Sequence, residues 1–245
     1  MINVIGSGLI GSSFKQYLTN FELSDITVLA SGVSSSLTNC SEEFSREHKL
    51  INECLEKRTG KELIIYISSC SAFNKSITNS PYVQHKKHME NLVQSVSKFL
   101  ILRLPQVIGR GGNRKTLCNW LHESILLNRP IPVFRNAVRN IIDVEDVCES
   151  LVRYLKRGEK FNEIISIANI NNNTIEELIY CFEIVLSKKA IKIDVEMASS
   201  DLYRILNNII ESEEIKFKNR FNSEYLIKII EKYYGLSINL KNSVN

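Results

Sequence analysis

The chain has 245 residues, 44% of them hydrophobic and 24% charged, close to the averages of soluble globular proteins. That composition excludes a disordered, collagen-like or coiled-coil chain, and its length predicts one large domain or one domain with a small lobe. Thirty-one Lys and Arg against 27 Asp and Glu leave a net charge of +4, scattered rather than blocked. No nucleic-acid partner is expected from this, while an anionic small-molecule substrate fits.

Apolar runs such as 63–67 fall far short of the roughly 18 residues of a membrane span, so no membrane partner is expected. Met1 leads straight into an apolar run with no basic segment before it; no signal peptide is expected, and a cytoplasmic location is. Six cysteines, at 40, 54, 70, 118, 148 and 181, show no CxxC spacing and read as free thiols. Histidines at 48, 85, 88 and 122 form no HExxH-like cluster, and no metal is expected.

In chain order, residues 2–5 read as a strand. They lead into Gly6-Ser7-Gly8-Leu9-Ile10-Gly11 and a helix to about Phe21. Strand, glycine turn and helix are the context in which GxGxxG binds a dinucleotide. The first glycine makes the sharp turn, and the second admits a pyrophosphate close to the backbone. The third lets the helix lie near the strand with its N–H groups aimed at phosphate. A β-type run at 25–30 ends in Ala30-Ser31-Gly32. An amphipathic helix follows at 41–57, with apolar positions at Phe44, Leu50, Ile51, Cys54 and Leu55, closed by Gly60. The continuous apolar runs 63–67 and 100–104 read as buried strands flanking a helix from Tyr82 to about Phe99, which argues for a parallel α/β sheet.

Beyond Gly109-Arg110-Gly111-Gly112, helices are expected at 116–127, 147–156, 174–187 and 223–234. Thr174 and Glu177 form a capping box, and Ser223 is read as the cap of the last helix. Strand-like segments are expected at 130–134, 139–144, 164–169 and 191–197, and the tail after Leu240 is expected to fray.

Tyr82 and Lys86 stand four apart on one helix face. An ammonium roughly 4 Å from a phenol, at an effective dielectric of about 20, interacts by about 4 kcal/mol. That is about three pKa units, enough to bring a phenol from about 10 towards 7. Such a tyrosine can exchange a proton with a carbonyl or hydroxyl oxygen, and Ser69 at a neighbouring strand end can hold that same oxygen. The set suits hydride transfer between a nicotinamide and an alcohol/ketone pair.

With these residues in place the sequence resembles the extended short-chain dehydrogenase/reductase family, in its branch of NAD(P)-dependent nucleotide-sugar epimerases, dehydratases and 4-keto reductases. The similarity extends to Glu90-Asn91-Leu92-Val93, to Leu102-Arg103-Leu104-Pro105-Gln106-Val107-Ile108-Gly109, and to Pro130–Phe134 followed by Arg139–Val147. The resemblance implies a catalytic Ser69, Tyr82 and Lys86. It implies NAD or NADP as cofactor, held by Gly6, Ser7, Gly8, Leu9, Ile10, Gly11, Ala30, Ser31, Gly32, Tyr82 and Lys86. A nucleoside-diphosphate sugar would meet Ser71 and Gln106, with Phe134 near its base and Arg139 and Arg114 on its diphosphate. A guanidinium fork matches phosphate oxygens bidentately. A homodimer through the helices around Tyr82 is a further implication.

Three departures stand out. Gln106, Ile108 and Arg110 replace the usual Asn, Tyr and Pro, and the turn is one residue tighter than the branch's GxxGxxG. The acidic residue normally about 20 positions past the glycines, which holds the adenosine ribose, has no counterpart. Residues 25–31 resemble the family's fourth strand better than its second. The expected fold is therefore a Rossmann-like parallel sheet with helices on both faces, its second and third strands missing or vestigial, plus a small C-terminal α/β lobe. Residues 1–112 with 138–170 would form the cofactor domain, and 113–137 with 171–245 the substrate lobe. The alternative takes 26–30 as the true second strand with Ser31 at its tip. The expected activity is 4-keto reduction of a nucleoside-diphosphate 4-keto-6-deoxysugar in surface-polysaccharide biosynthesis. A nucleotide-sugar epimerase and a non-catalytic nucleotide-binding module are the alternatives.

Overall fold

The computed structural model describes residues 2–19, 25–33, 38–58, 60–73, 80–134, 137–157, 161–169, 171–195 and 223–235. The ends of two expected elements, the first helix beyond Thr19 and the strand beyond Val195, lie outside these residues, as does the tail after Leu240.

Five parallel strands make the central sheet: β1 (Ile2–Ile5), β2 (Ile26–Leu29), β3 (Leu63–Ser69), β4 (Phe99–Leu104) and, later in the chain, β9 (Glu163–Ser166). They are hydrogen-bonded in the order β1-β2-β3-β4-β9. Registers such as Val4 beside Val28, Val28 beside Ile65 and Ile65 beside Leu100 stack branched side chains across the sheet. β1 is an edge, with no strand beyond it among the described residues.

Alternation along the strands sorts the two faces. Ile26, Val28, Leu63, Ile65, Leu100 and Leu102 pack under α1 (Leu9–Leu18, through Phe14 and Leu18) and α5 (Val144–Lys156, through Val147, Cys148 and Leu151). Leu29, Ile64, Tyr66, Phe99 and Ile101 pack under α2 (Ser41–Lys57, through Ile51 and Leu55) and α3 (Pro81–Val93, through Met89 and Val93). Both faces are covered, which is why the strands read as continuous apolar runs rather than alternating ones.

This layering has a topological consequence. The steps β1→β2, β2→β3 and β3→β4 all run in the same direction across the sheet, yet α1 lies on one face and α2 and α3 on the other. The β1–α1–β2 crossover is therefore of opposite hand to the two that follow it, in a class of connection that is right-handed in about 98% of cases. The helices diverge between β1 and β2, and a crevice opens there at the strands' C-terminal ends.

A separate hydrophobic cluster forms from α4 (Leu117–Leu126), β6 (Ile131–Phe134), α6 (Ile175–Leu186) and α7 (Ser223–Tyr234), around Leu121, Ile125, Ile131, Leu178, Phe182, Leu226 and Ile230. β11 (Lys192–Val195) runs parallel to β6 at its margin. Short strands link this cluster to the sheet: β5 (Gln106–Ile108) pairs with β8 (Ile141–Asp143), and β7 (Val138–Arg139) with β10 (Asn173–Thr174). The capping box is present at α6: the Glu177 N–H donates to Thr174 Oγ1 at 3.0 Å and the Thr174 N–H to Glu177 Oε2 at 2.8 Å.

Several boundaries differ from the sequence reading. α3 stops at Val93 rather than Phe99, because Ser95 and Ser97 are weak helix formers and Ser95 turns its hydroxyl onto the Leu92 carbonyl. α5 starts three residues early, because Asp143 caps it by accepting from the Glu145 N–H at 2.9 Å. Gly60, at φ +81°, lies beyond an extended cap residue, Arg58, so α2 ends before the glycine.

Candidate active site

A cleft of about 1310 Å³ runs over the C-terminal ends of β1, β2, β3 and β4. At its floor the glycine turn is built as its spacing requires. Gly6 adopts φ +139°, and a β-carbon there would collide with the Ala30 carbonyl. One on Gly11 would lie 2.6 Å from the Gly6 carbonyl oxygen, so the third glycine sets the closeness of α1 to β1. A β-carbon on Gly8, which lines the cleft, would meet no atom within 4 Å. The first N–H groups of a helix have no intrahelical acceptor, and no acidic side chain occupies the first turn of α1. The turn fits a dinucleotide phosphate: it offers unpaired donors, a positive helix end and room.

Ser69 ends β3, and a 3₁₀ turn at Cys70–Phe73 carries the chain away. The Ser69 hydroxyl donates to Ser71 Oγ at 3.1 Å and accepts from the Ser71 N–H at 3.2 Å. α3 begins at Pro81, whose missing N–H costs nothing in a first turn. Tyr82 follows, 6% exposed, against Val33 and Val83. Beneath the serines lies a buried anchor. Arg103 donates through both Nε and Nη2 to the Glu90 carboxylate, at 2.8 and 2.5 Å, and the Ser68 hydroxyl donates to Glu90 Oε1 at 2.5 Å. This ties α3, with Tyr82 and Lys86 on it, to β3 and β4.

Lys86 has a partner that the sequence reading did not name. Its ammonium donates to Glu47 Oε1 at 2.8 Å and to the Tyr66 hydroxyl at 3.1 Å, and it lies 5.9 Å from the Tyr82 ring centre. The ammonium near Tyr82 is thus also paired with a carboxylate, Glu47. Glu47 is 1% exposed and also accepts from Tyr66 Oη at 2.8 Å, His85 Nε2 at 2.9 Å and the Val33 N–H at 2.9 Å. Burial pushes its carboxyl up, but the bonds from His85 and Lys86 outweigh that and hold it well below the usual range. Burial and the Glu47 charge push the Tyr66 phenol well above the ordinary tyrosine value.

Ser7, Gly8, Leu9, Ile10, Ala30, Ser31, Gly32, Ser69, Ser71, Tyr82, Lys86, Gln106 and Arg139 all line this one cleft. Gly6 and Gly11 shape the turn from behind. Phe134 and Arg114 do not line it. Phe134 lies on the outward side of β6, 39% exposed, because β6 alternates and turns Ile131 and Val133 inward. Arg114 is exposed in the turn ahead of α4.

The sequence reading placed α7 in the substrate lobe but named no site residue on it, and α7 contributes three consecutive lining residues. Lys232 donates to Asp143 Oδ2 at 2.9 Å and Glu145 Oε2 at 2.7 Å, and the Tyr233 hydroxyl donates to Asp143 Oδ1 at 2.6 Å. The Tyr234 hydroxyl donates to Asn119 Oδ1 at 2.6 Å. Nearby, burial and then the Glu145 charge push the Tyr17 phenol up to about 12. The α7 residues carry no motif that marks them. Glu47 did leave a trace: with Ile51 and Leu55 it forms an i, i+4, i+8 row, a charge on the helix's buried stripe. Burial pushes the Cys70, Cys118 and Cys148 thiols up to about 12, so they are not poised as nucleophiles. No group of three metal-ligating side chains occurs, and no helix is long and apolar enough to cross a membrane, among the described residues.

The fold and cleft define a Rossmann-like protein with a dinucleotide turn and a Ser/Tyr/Lys set on one wall. The model of the NAD dependent epimerase/dehydratase family matches residues 47–168, and the chain belongs to that family. No curated protein matches the sequence. Among solved structures, RMD from Pseudomonas aeruginosa complexed with NADPH is similar at 16% identity and a TM-score of 0.70, over 95% of this chain and 98% of that one. UDP-glucuronic acid 4-epimerase from Bacillus cereus, in complex with UDP-glucuronic acid and NAD, shares 17% identity at a TM-score of 0.70, over 95% and 89%. UDP-glucose 4-epimerase from Thermus thermophilus, complexed with NAD, shares 16% at 0.65, over 96% and 99%. At such identities the likeness is one of fold.

Proposed function

We propose that this chain is an NAD(P)H-dependent reductase of a nucleoside-diphosphate 4-keto-6-deoxysugar, acting at C4 in cytoplasmic surface-polysaccharide biosynthesis. The observation that carries the reading is that Ser69, Tyr82 and Lys86 line the same cleft as the glycine turn. A nicotinamide held there would supply the hydride for reduction of the C4 carbonyl to an alcohol. Ser69 holds the carbonyl oxygen by a hydrogen bond, and Tyr82 gives that oxygen its phenolic proton. Lys86 supports Tyr82 and the cofactor ribose, and Arg139 and Gln106 orient the sugar diphosphate. Residues 1–112 with 138–170 serve as the cofactor domain, and 113–137 with 171–245 as the substrate lobe.

The hand of the first crossover supports the abbreviated sheet. In a doubly wound sheet of order 3-2-1-4-5-6, right-handed crossovers place the two halves' helices on opposite faces. Removing the second and third strands joins the first helix directly to the fourth strand. The remaining β1–α1–β2 connection then has the opposite hand, as found here. Such a sheet leaves the adenosine side of the cleft with less wall. A reductase that exchanges cofactor at each turnover tolerates this better than an epimerase, which must retain it through oxidation and re-reduction.

The test is NADPH and NADH oxidation by the purified protein with dTDP- and UDP-4-keto-6-deoxysugars. Protein-dependent oxidation that Tyr82→Phe abolishes is the expected result. Co-purifying cofactor with interconversion of two sugars and no net redox change identifies an epimerase instead. If neither cofactor binds at millimolar concentration, the chain is a non-catalytic module instead.

A further inference from the structure

We propose that Glu47 is a positioning residue, holding the Lys86 ammonium at the floor of the cleft and cancelling its charge, so that Lys86 acts through one remaining N–H. The proposal rests on the reductase reading for what Lys86 does, and on the geometry alone for what Glu47 does to Lys86.

The hydrogen-bond count is closed. An ionised carboxylate accepts at about four sites and donates at none. Glu47 receives four donors, all within 2.9 Å: Tyr66 Oη and Lys86 Nζ on Oε1, and His85 Nε2 and the Val33 N–H on Oε2. Because the carboxylate only accepts, His85 must carry its proton on Nε2, whichever its charge state. The Tyr66 hydroxyl gives its proton to Glu47 and its lone pair to Lys86, bridging the two. Of the three ammonium protons, two are thus committed, and the lysine still lines the cleft at 3% exposure.

The backbone closes the pair from the other side. A β-carbon on Gly32 would lie 2.6 Å from Lys86 Nζ and 2.8 Å from Glu47 Oε1, so the loop after β2 covers the pair at a distance only glycine permits. The ionisable groups around the pair are Tyr66 from β3, Tyr82, His85 and Glu90 from α3, and Arg103 from β4. Glu90 is engaged bidentately by Arg103 and does not compete for Lys86. On α2 the neighbouring Glu43 and Arg46 are not buried. Glu47 is the carboxylate bonded to Lys86, and its removal leaves a nearly buried cation uncompensated.

The experiment uses the full-length protein with Glu47→Gln, Lys86→Met and the double variant. Two quantities are read: the NADPH dissociation constant, from cofactor fluorescence, and kcat against pH with the keto sugar. In Glu47→Gln, kcat falls at least about tenfold and its basic limb moves down by about one pH unit. That is the effect of one unit charge roughly 10 Å from the proton donor at an effective dielectric of about 20. The NADPH dissociation constant changes several-fold in Glu47→Gln but less than about twofold when the same change is made in Lys86→Met, because the effect passes through the lysine. A basic limb that stays in place, or a change in NADPH affinity that persists undiminished without Lys86, overturns the proposal. If Glu47→Gln does not fold, Tyr66→Phe, which removes the bridging hydroxyl but keeps the Glu47 charge, is read on the NADPH dissociation constant alone: a several-fold change that falls below about twofold in Lys86→Met is expected, and a change that persists undiminished without Lys86 overturns the proposal. Wild-type protein that binds NADPH but reduces no keto sugar sinks the reductase reading alone, since the binding cycle still judges Glu47.

Discussion

Replacing Glu90 by Gln removes the charge that compensates Arg103 while preserving side-chain volume. The two side chains are 3% and 12% exposed and share two short hydrogen bonds, at 2.8 and 2.5 Å. Removing one partner of such a buried pair costs about 3–5 kcal/mol. Glu90 also accepts the Ser68 hydroxyl, so the loss includes part of a further buried hydrogen bond, worth about 1 kcal/mol. For a chain of this size each kcal/mol lowers the melting temperature by about 2–4 °C, so a fall of roughly 6–20 °C is expected. The damage reaches the cleft, since Ser68 precedes Ser69 and Glu90 lies one helical turn beyond Lys86. Thermal unfolding of Glu90→Gln, Arg103→Met and the Glu90→Gln/Arg103→Met double variant forms the assay. The double variant, which buries no unpaired ion, should be more stable than the sum of the singles predicts. Single-variant losses below about 1 kcal/mol, or strict additivity, would refute the claim that a desolvated ion pair anchors α3 to the sheet.

Gly11→Ala places a methyl 2.6 Å from the Gly6 carbonyl oxygen, so α1 must move off β1; NADPH affinity by fluorescence should fall at least about tenfold, and an unchanged affinity argues against phosphate binding at this turn. Ser69→Ala should lower kcat with the keto sugar by about a hundredfold while changing NADPH affinity little, a split seen by comparing turnover with equilibrium binding. Because the Glu47 carboxyl is held below its unfolded value, its contribution to stability is fully present above about pH 4.3 and is lost as the pH falls through the folded value. Urea midpoints should accordingly drop less steeply below about pH 4.3 in Glu47→Gln than in wild type. Tyr225→Phe deletes a hydroxyl that accepts from the Asp143 N–H at 2.8 Å and donates to Asp146 Oδ2 at 2.7 Å; a loss of about 1–3 kcal/mol in chemical denaturation is expected, with α7 the first element to lose amide protection.

Much of this molecule is legible in its residues one segment at a time. Gly6 and Gly11 after a four-residue strand specify the turn, since each answers a local steric demand that the folded chain then shows at Ala30 and at Gly6 itself. The buried strands follow from uninterrupted apolar runs, and the α6 start from Thr174 and Glu177, because capping and strand burial are encoded within a few neighbouring positions. The Tyr82–Lys86 spacing places both residues on one helix face for the same reason. What neighbours in sequence do not encode is who meets a side chain across 39 positions of chain. Lys86 meets Glu47 because α2 and α3 pack side by side on one face of the sheet. Likewise Phe134 turns outward with the alternation of β6, and Lys232, Tyr233 and Tyr234 reach the cleft from a helix that begins at residue 223. Charge compensation in a low-dielectric interior acts between groups in space, so the electrostatics of this site were decided only when the layers closed on one another.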